Sequence, residues 1–284
     1  MPSSSPARFS RRSFLRGIGW AAVAGGLLAA ESVREAYAFE VSREFRAVRG
    51  LVQPLTVSFL TDFHLGPYLH ERQLRAWVSA SNALDPDLVV IGGDLVDRFY
   101  GGDLSELVTQ VGRLQSELGV LVVAGNHDRT RYPDLAPLVA AVQAAGATFL
   151  VNRGVRVRDD LVVGGVDDFR RGRPNLARAF RDVAAGAGVR VLVSHNPDII
   201  PTLGPDTAAG RPVDLVLSGH THGGQVRLPF VGPLVTSSAY GARYAEGWVE
   251  APMPAFVSRG LGVTLVPFRL DCAPQVVLLD LEPA

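Results

Sequence analysis

Five short polar blocks interrupt apolar runs in this 284-residue chain. They read Asp62, Phe63, His64; Gly92, Gly93, Asp94, Leu95, Val96, Asp97; Gly125, Asn126, His127, Asp128; Ser194, His195, Asn196, Pro197; and Gly219, His220, Thr221, His222, Gly223, Gly224. Five of the six histidines fall in these blocks and only His70 lies outside them, a clustering that scattered surface or structural histidines would not produce. Carboxylates, one amide oxygen and imidazoles are donors for hard-to-borderline divalent cations such as Mn, Fe or Zn. A pair of such ions about 3.5–4 Å apart needs a shared carboxylate to offset their repulsion, and it lowers the pKa of a water held between them. Asp94, flanked by Gly93 and midway among the blocks, is the candidate for the shared ligand. The chemistry such a pair does is hydrolysis at a tetrahedral phosphorus centre.

Those blocks need elements to bring them together. Leu55–Thr61, Leu88–Ile91 and Val120–Val123 are short β-branched runs, each ending at one of the blocks. Between them, helical spacing predicts helices over His70–Leu84, Leu104–Leu118 and Asp134–Ala145. This βαβαβ order predicts a parallel sheet with right-handed crossovers. After Ala147 the runs shorten: Thr148–Val151, Val155–Arg158 and Leu161–Val166 read as strands with tight connections, which suits antiparallel or mixed pairing. A helix over Asn175–Ala185 and strands at Val189–Val193, Val213–Leu217, Ala255–Val257 and Gln275–Leu281 complete the pattern. In open α/β sheets ligands bind at the carboxyl ends of strands, so blocks spread over about 160 residues converge there. No linker divides the chain, and one α/β domain over residues 39–284 accounts for it.

The ordered set Asp62-x-His64, Gly93-Asp94-x-x-Asp97, Gly125-Asn126-His127-Asp128, His195 and Gly219-His220-x-His222 resembles the calcineurin-like metallophosphoesterases. The resemblance implies a four-layer αββα sandwich of two mixed β-sheets flanked by helices. It further implies that Asp62, His64, Asp94 and His222 bind one divalent ion, and that Asp94, Asn126, His195 and His220 bind a second. A hydroxide bridging the ions would then attack phosphorus in line. His127 would protonate or stabilise the leaving alkoxide, with Asp128 orienting its ring. The run Gly219–Pro229, followed by Ser258, Arg259, Gly260, Leu261 and Gly262, is similar to an exported or membrane-anchored bacterial subgroup. Related proteins imply a narrower substrate for it, a UDP-diacylglucosamine-like glycolipid pyrophosphate at the membrane. Arg259, between glycine-containing turns, is the expected phosphate contact, since a guanidinium matches phosphate geometry.

The N-terminus reads as a separate segment. Ser10, Arg11, Arg12, Ser13, Phe14, Leu15 and Arg16 precede fourteen uncharged residues, Gly17–Ala30, and then a small-residue site, Ala36, Tyr37, Ala38. These are the basic, apolar and cleavage regions of an export signal over residues 1–38, and the paired arginines resemble a twin-arginine signal, with its translocase as partner. The apolar run is short of the roughly 20 residues a lone spanning helix needs. Export to the periplasm or cell envelope follows, with membrane attachment if the signal stays uncleaved. Cleavage after Ala38 would leave 23 arginines and 26 acids, a net charge of −3, since five arginines and two glutamates precede that point. A slightly acidic chain has no electrostatic bias toward a nucleic-acid partner. One cysteine, Cys272, excludes an internal disulfide framework. An expectation of another class is an exported metal- or envelope-binding module without turnover.

Overall fold

The computed structural model describes residues 11–183, 188–204, 212–250 and 252–284. The N-terminal half runs α1 (Arg11–Tyr37), β1 (Glu40–Val48), β2 (Leu55–Leu60), α2 (Glu71–Ala83), β3 (Leu88–Ile91), α3 (Ser105–Val111), β4 (Val120–Val122), α4 (Asn126–Arg131), α5 (Ala136–Ala144) and β5 (Thr148–Phe149). The remainder runs β6 (Arg153–Arg158), β7 (Leu161–Gly165), α6 (Leu176–Phe180), β8 (Val189–Val193), β9 (Leu215–Ser218), β10 (Arg227–Leu228), β11 (Gly232–Pro233), β12 (Gly247–Val249), β13 (Ala255–Val257) and β14 (Gln275–Pro283).

Two six-stranded sheets form, in the orders β1-β14-β2-β3-β4-β5 and β12-β13-β9-β8-β7-β6. Both are mixed. β2 to β5 are parallel while β14 runs antiparallel to β2; β7, β8, β9 and β13 are parallel while β6 and β12 run antiparallel at the two edges. The central strands are apolar on both faces, as in Leu88–Ile91, because each is covered twice. On the inner faces Val57, Phe59, Val90 and Val123 of one sheet share a core with Val163, Val193, Leu217 and Phe256 of the other. Each such fully buried side chain contributes about 1.5–3 kcal/mol. Outside the first sheet, α2, α3 and α5 deliver Leu74, Trp77, Leu107, Val111, Leu138 and Val142 to a second core. Outside the second, Phe180, Ile199, Ile200 and Tyr244 cover Val162, Leu192 and Val216. The result is helices, sheet, sheet, helices: the four-layer α/β sandwich.

Several elements differ from their sequence reading. α3 stops at Val111, where Gly112 caps it, instead of continuing to Leu118. α6 is a single short helix, and residues 184 and 185 of the expected one lie outside the described residues. β1 was not expected as a strand. It alternates charged and apolar residues at a sheet edge and pairs in parallel with β14 over Glu40↔Gln275 to Val48↔Pro283. The residues of the export-signal reading form a continuous helix from Arg11 to Tyr37; the first ten residues lie outside those described.

Candidate metal centre

β2, β3 and β4 of one sheet and β8 and β9 of the other end at the same edge of the sandwich, each handing over directly to one of the five polar blocks. The loops knit to one another through their backbones. The Asp62 amide donates to the Gly93 carbonyl (2.9 Å), His64 to Asp94 (3.0 Å), and Gly219 to His195 (3.0 Å). Holding side chains inward in such short turns forces unusual backbone: Asp62, His64, Asp94, His220 and His222 all have positive φ, between 47° and 73°. Strain of this kind costs about 1–3 kcal/mol per residue and gathers at functional sites. Gly125 is needed for a close approach, because a Cβ there would lie 2.0 Å from Asp94 Oδ1. Gly260, at φ +66°, lies against Asp62, whose Cβ would be 2.7 Å from an added methyl.

Two donor groups with no residue in common result: Asp62, His64 and His222 offer ligand atoms within 4.8 Å of one another, and so do Asp94, His195 and His220; all six residues are buried, and His64 also forms a third such group with Asp97 and His127. In the first group His222 Nε2 is 3.4 Å from Asp62 Oδ1 and 3.0 Å from His64 Nε2. In the second, His195 Nδ1 donates to the Gly92 carbonyl (2.9 Å), which turns Nε2 toward Asp94 Oδ2 at 3.2 Å. Asp94 Oδ2 is also 3.5 Å from His64 Nε2, so one carboxylate lies between the groups. Asn126 Oδ1, His195 Nε2 and His220 Nε2 are buried without a hydrogen-bond partner. Buried polar atoms normally have partners. Three unpartnered donors next to a carboxylate fit a divalent cation, and the other group offers a carboxylate and two imidazoles of the same chemistry.

The electrostatics follow the packing. Burial opposes the charge on His64 and His195, but the surrounding carboxylates win: Asp62, Asp97 and Asp94 push His64 up to about 9, and Asp94 chiefly pushes His195 up to about 10. Burial is unopposed enough at His220 to bring it down to about 3, with the charge of His195 adding to the effect. Despite their burial, Asp62 is held below the usual carboxylate range by His222, His64 and His195, and Asp94 by His195 and His64.

Two sequence-based roles change. Asp128 does not face the His127 ring: its oxygens accept from the Val96 amide (3.1 Å) and the Gly125 amide (2.9 Å). Burial and the neighbouring Asp94 charge push its carboxyl up to about 7. Asp97 takes the expected place, with Oδ2 3.1 Å from His127 Nδ1. Sequence adjacency misled here because residues 127 and 128 lie in α4, where neighbouring side chains point apart. Arg259 is likewise not aimed at the centre. Its guanidinium is taken up by Glu40, Gln275 and Glu246. Arg227 also pairs with Glu246. Tyr244 is buried and packs edge-on against Tyr240. One residue gave no sequence signal at all: Arg269, fully buried, whose Nη2 is 3.3 Å from His222 Nδ1.

The family model for calcineurin-like phosphoesterase matches residues 55–224, a span that holds all five blocks. The chain is 28% identical over 290 residues to YkuE of Bacillus subtilis (strain 168), an uncharacterized metallophosphoesterase, covering 97% of this chain and 98% of the relative. It is 30% identical over 264 residues to an uncharacterized metallophosphoesterase of Aquifex aeolicus (strain VF5), covering 90% of this chain and 97% of the relative. Among solved structures, the NAD nucleotidase of Haemophilus influenzae aligns with a TM-score of 0.46 at 13% identity, over 74% of this chain and 45% of that one. With its blocks in place at the strand ends and the family model spanning them, the chain belongs to the calcineurin-like phosphoesterases, metal-dependent hydrolases of phosphoric esters.

Proposed function

We propose that this chain is a two-ion phosphodiesterase of the cell envelope. The observation that carries the two-ion reading is the position of Asp94, whose Oδ2 lies between His64 of one donor group and His195 of the other. Asp62, His64 and His222 would hold one ion with Asp94, and Asn126, His195 and His220 the second with the same carboxylate. When bound, Mn, Fe or Zn ions supply an activated water and neutralise charge on the phosphoryl oxygens.

The remaining work falls to this chain's own side chains. His127, 4.5 Å from the His64 ring between centroids, is close enough to the donor groups to protonate the departing ester oxygen. Asp97 Oδ2, 3.1 Å from His127 Nδ1, orients the ring; burial opposes ionisation of this carboxyl, but the neighbouring His127 and His64 keep it ionised well below the usual range. Asp94 Oδ1 accepts from the His127 backbone amide (2.8 Å), tying the acid to the shared ligand. Asp128 fixes the loops by capping Gly125 and Val96.

A specific observation favours a second reading of the substrate. An apolar groove of about 400 Å³ opens beside His222, lined by Val226, Leu234, Val235, Leu265 and Val266, and no lining residue carries a full charge. Such a groove suits the acyl portion of a glycolipid pyrophosphate better than a nucleotide. Export through the twin-arginine translocase would place the enzyme where such lipids reside.

The test is a screen of phosphomonoesters, phosphodiesters and glycolipid pyrophosphates after Mn loading, with His127→Ala as the blank. Turnover of a chromogenic bis-phosphodiester that a chelator abolishes supports the enzyme. A folded, Mn-loaded protein inert on every ester would leave a metal-binding module. Steep salt dependence of binding would point to a nuclease.

A further inference from the structure

The segment that reads as a leader is built into the fold at its far end. Ala36, one of the two small residues of the expected cleavage site, is 1% exposed and belongs to the same buried cluster as Leu69, Leu261 and Val263. It is also helical, with the Ala38 amide still donating to the Glu35 carbonyl (3.1 Å). A processing protease needs its small-residue site extended and accessible, so cutting after Ala38 would require unwinding the last turn and extracting Ala36 from the core.

That last turn also grips a loop of the metal centre. The Glu35 carboxylate accepts from the backbone amides of Asp271 (3.1 Å) and Cys272 (2.6 Å), and the Ser32 carbonyl accepts from the Arg269 amide (3.0 Å). The gripped loop reaches His222 through three contacts: Arg269 Nη2 lies against its Nδ1, Arg269 Nη1 donates to its carbonyl (3.5 Å), and Cys272 Sγ donates to the same carbonyl (3.2 Å). Arg269 further donates to the Gly262 carbonyl (2.6 Å), and the Gly262 amide donates to the Asp62 carbonyl (2.6 Å). Both His222 and Asp62 therefore rest on a loop that α1 holds.

The rest of α1 has the opposite character. Trp20, Val23, Leu27 and Leu28 are 53–74% exposed, at helical spacing, while Gly25, Gly26, Ala29 and Ala30 leave the other faces small. Exposed large apolar side chains in such a stripe call for an apolar environment. Arg11, Arg12 and Arg16 precede it in sequence, a charge suited to anionic headgroups. The fourteen uncharged residues would extend about 21 Å as helix, less than the roughly 30 Å hydrocarbon core. In keeping with this, no helix among the described residues is long and apolar enough to cross a membrane.

We propose that α1 is retained in the working protein as a non-spanning anchor in an anionic lipid bilayer, and that its last turn positions the first metal-donor group by clamping the Arg269–Cys272 loop. The anchor stands on its own; the clamp rests on reading Asp62, His64 and His222 as ion ligands. Glu35 and Arg269 are positioning residues.

The test uses the full chain. Intact-mass measurement of protein recovered from the membrane fraction of an expressing bacterium should find residues before Phe39 still attached; a population cut after Ala38 that holds two Mn ions would overturn the proposal. Phosphatidylcholine vesicles containing phosphatidylglycerol should sediment the protein, and brominated lipid should quench Trp20 fluorescence, read against Trp20→Phe. Leu27→Asp should weaken sedimentation at least tenfold, and no sedimentation of the unaltered chain would sink the anchor. For the clamp, electron paramagnetic resonance should show Mn affinity at one of two sites falling about three- to tenfold in Glu35→Gln and about ten- to a hundredfold in Arg269→Met, the other site changing less. If Arg269→Met fails to fold, Glu35→Gln decides. Equal affinities in Glu35→Gln and the unaltered chain would refute the clamp, whereas an unaltered chain that binds no Mn would refute the metal-centre reading instead.

Discussion

At the scale of single residues, the groups that would hold cations are separate from those that would handle protons. His127→Ala should lose on the order of 10²- to 10⁴-fold in rate on esters with poor leaving groups while retaining both ions, if the ring acts as we propose, as an acid and not as a ligand. Asp97→Asn should lower the same rate with Mn content intact, because it removes the carboxylate beside His127 Nδ1; stopped assays with metal analysis on both variants check this, and metal loss in His127→Ala would contradict its role. Asp94→Ala should release both ions, since its carboxylate lies between the donor groups. A pH dependence follows with a definite sign. His64 and His195, raised to about 9 and about 10 by nearby carboxylates in spite of burial, carry protons below those values. A cation must displace these protons, so Mn should bind more tightly as pH rises, by up to about tenfold per unit for each proton displaced. Mn titrations between about pH 6.5 and 8.5 measure the slope, and a flat profile would mean the imidazoles are already neutral.

At the scale of elements, the site depends on strand ends that turn at once. The ladder hydrogen bonds of β2, β3 and β4 run directly into cross-loop bonds such as Asp62 to Gly93, leaving no slack between sheet and ligand. Gly125→Ala would therefore have large consequences for one methyl group: its Cβ would fall 2.0 Å from Asp94 Oδ1 and 2.4 Å from the Asp94 amide nitrogen, and neither loop can retreat without breaking the other. The expected outcome is loss of Mn binding with the circular-dichroism spectrum of the fold preserved; a fully loaded Gly125→Ala protein would show the loops to be softer than their bonding indicates. α1 illustrates the converse: Trp20, Val23, Leu27 and Leu28 in its middle are exposed among the described residues while its last turn is bonded to a remote loop.

For the whole molecule, the buried centre couples metal to stability. Carboxylates and unpartnered donor atoms crowd the edge where the two sheets meet, so ions that bind only the folded state should stabilise it by about 2.7 kcal/mol at a hundredfold excess over Kd. Removal by chelator should lower the midpoint of thermal unfolding by several degrees, and calorimetry with and without Mn measures it. The amino-acid sequence alone determined the inner strands of both sheets and the polar blocks at their ends, though not the edge strands β1 and β12, because buried parallel strands need uninterrupted apolar runs and ligands stand out against them as polar exceptions beside glycine. It determined the four-layer arrangement only by resemblance, since periodicity does not say which strands share a sheet. Tertiary structure decided everything that depends on partners distant in the chain. Asp97, from the loop after β3, meets His127 while adjacent Asp128 turns to backbone amides. Glu40 and Glu246 take up the Arg259 guanidinium. Arg269 comes to rest beneath His222, and Ala36 disappears into the core. Local pattern records what a residue is and whether its segment is buried; which charge or carbonyl it meets is fixed only when separate segments are packed against one another.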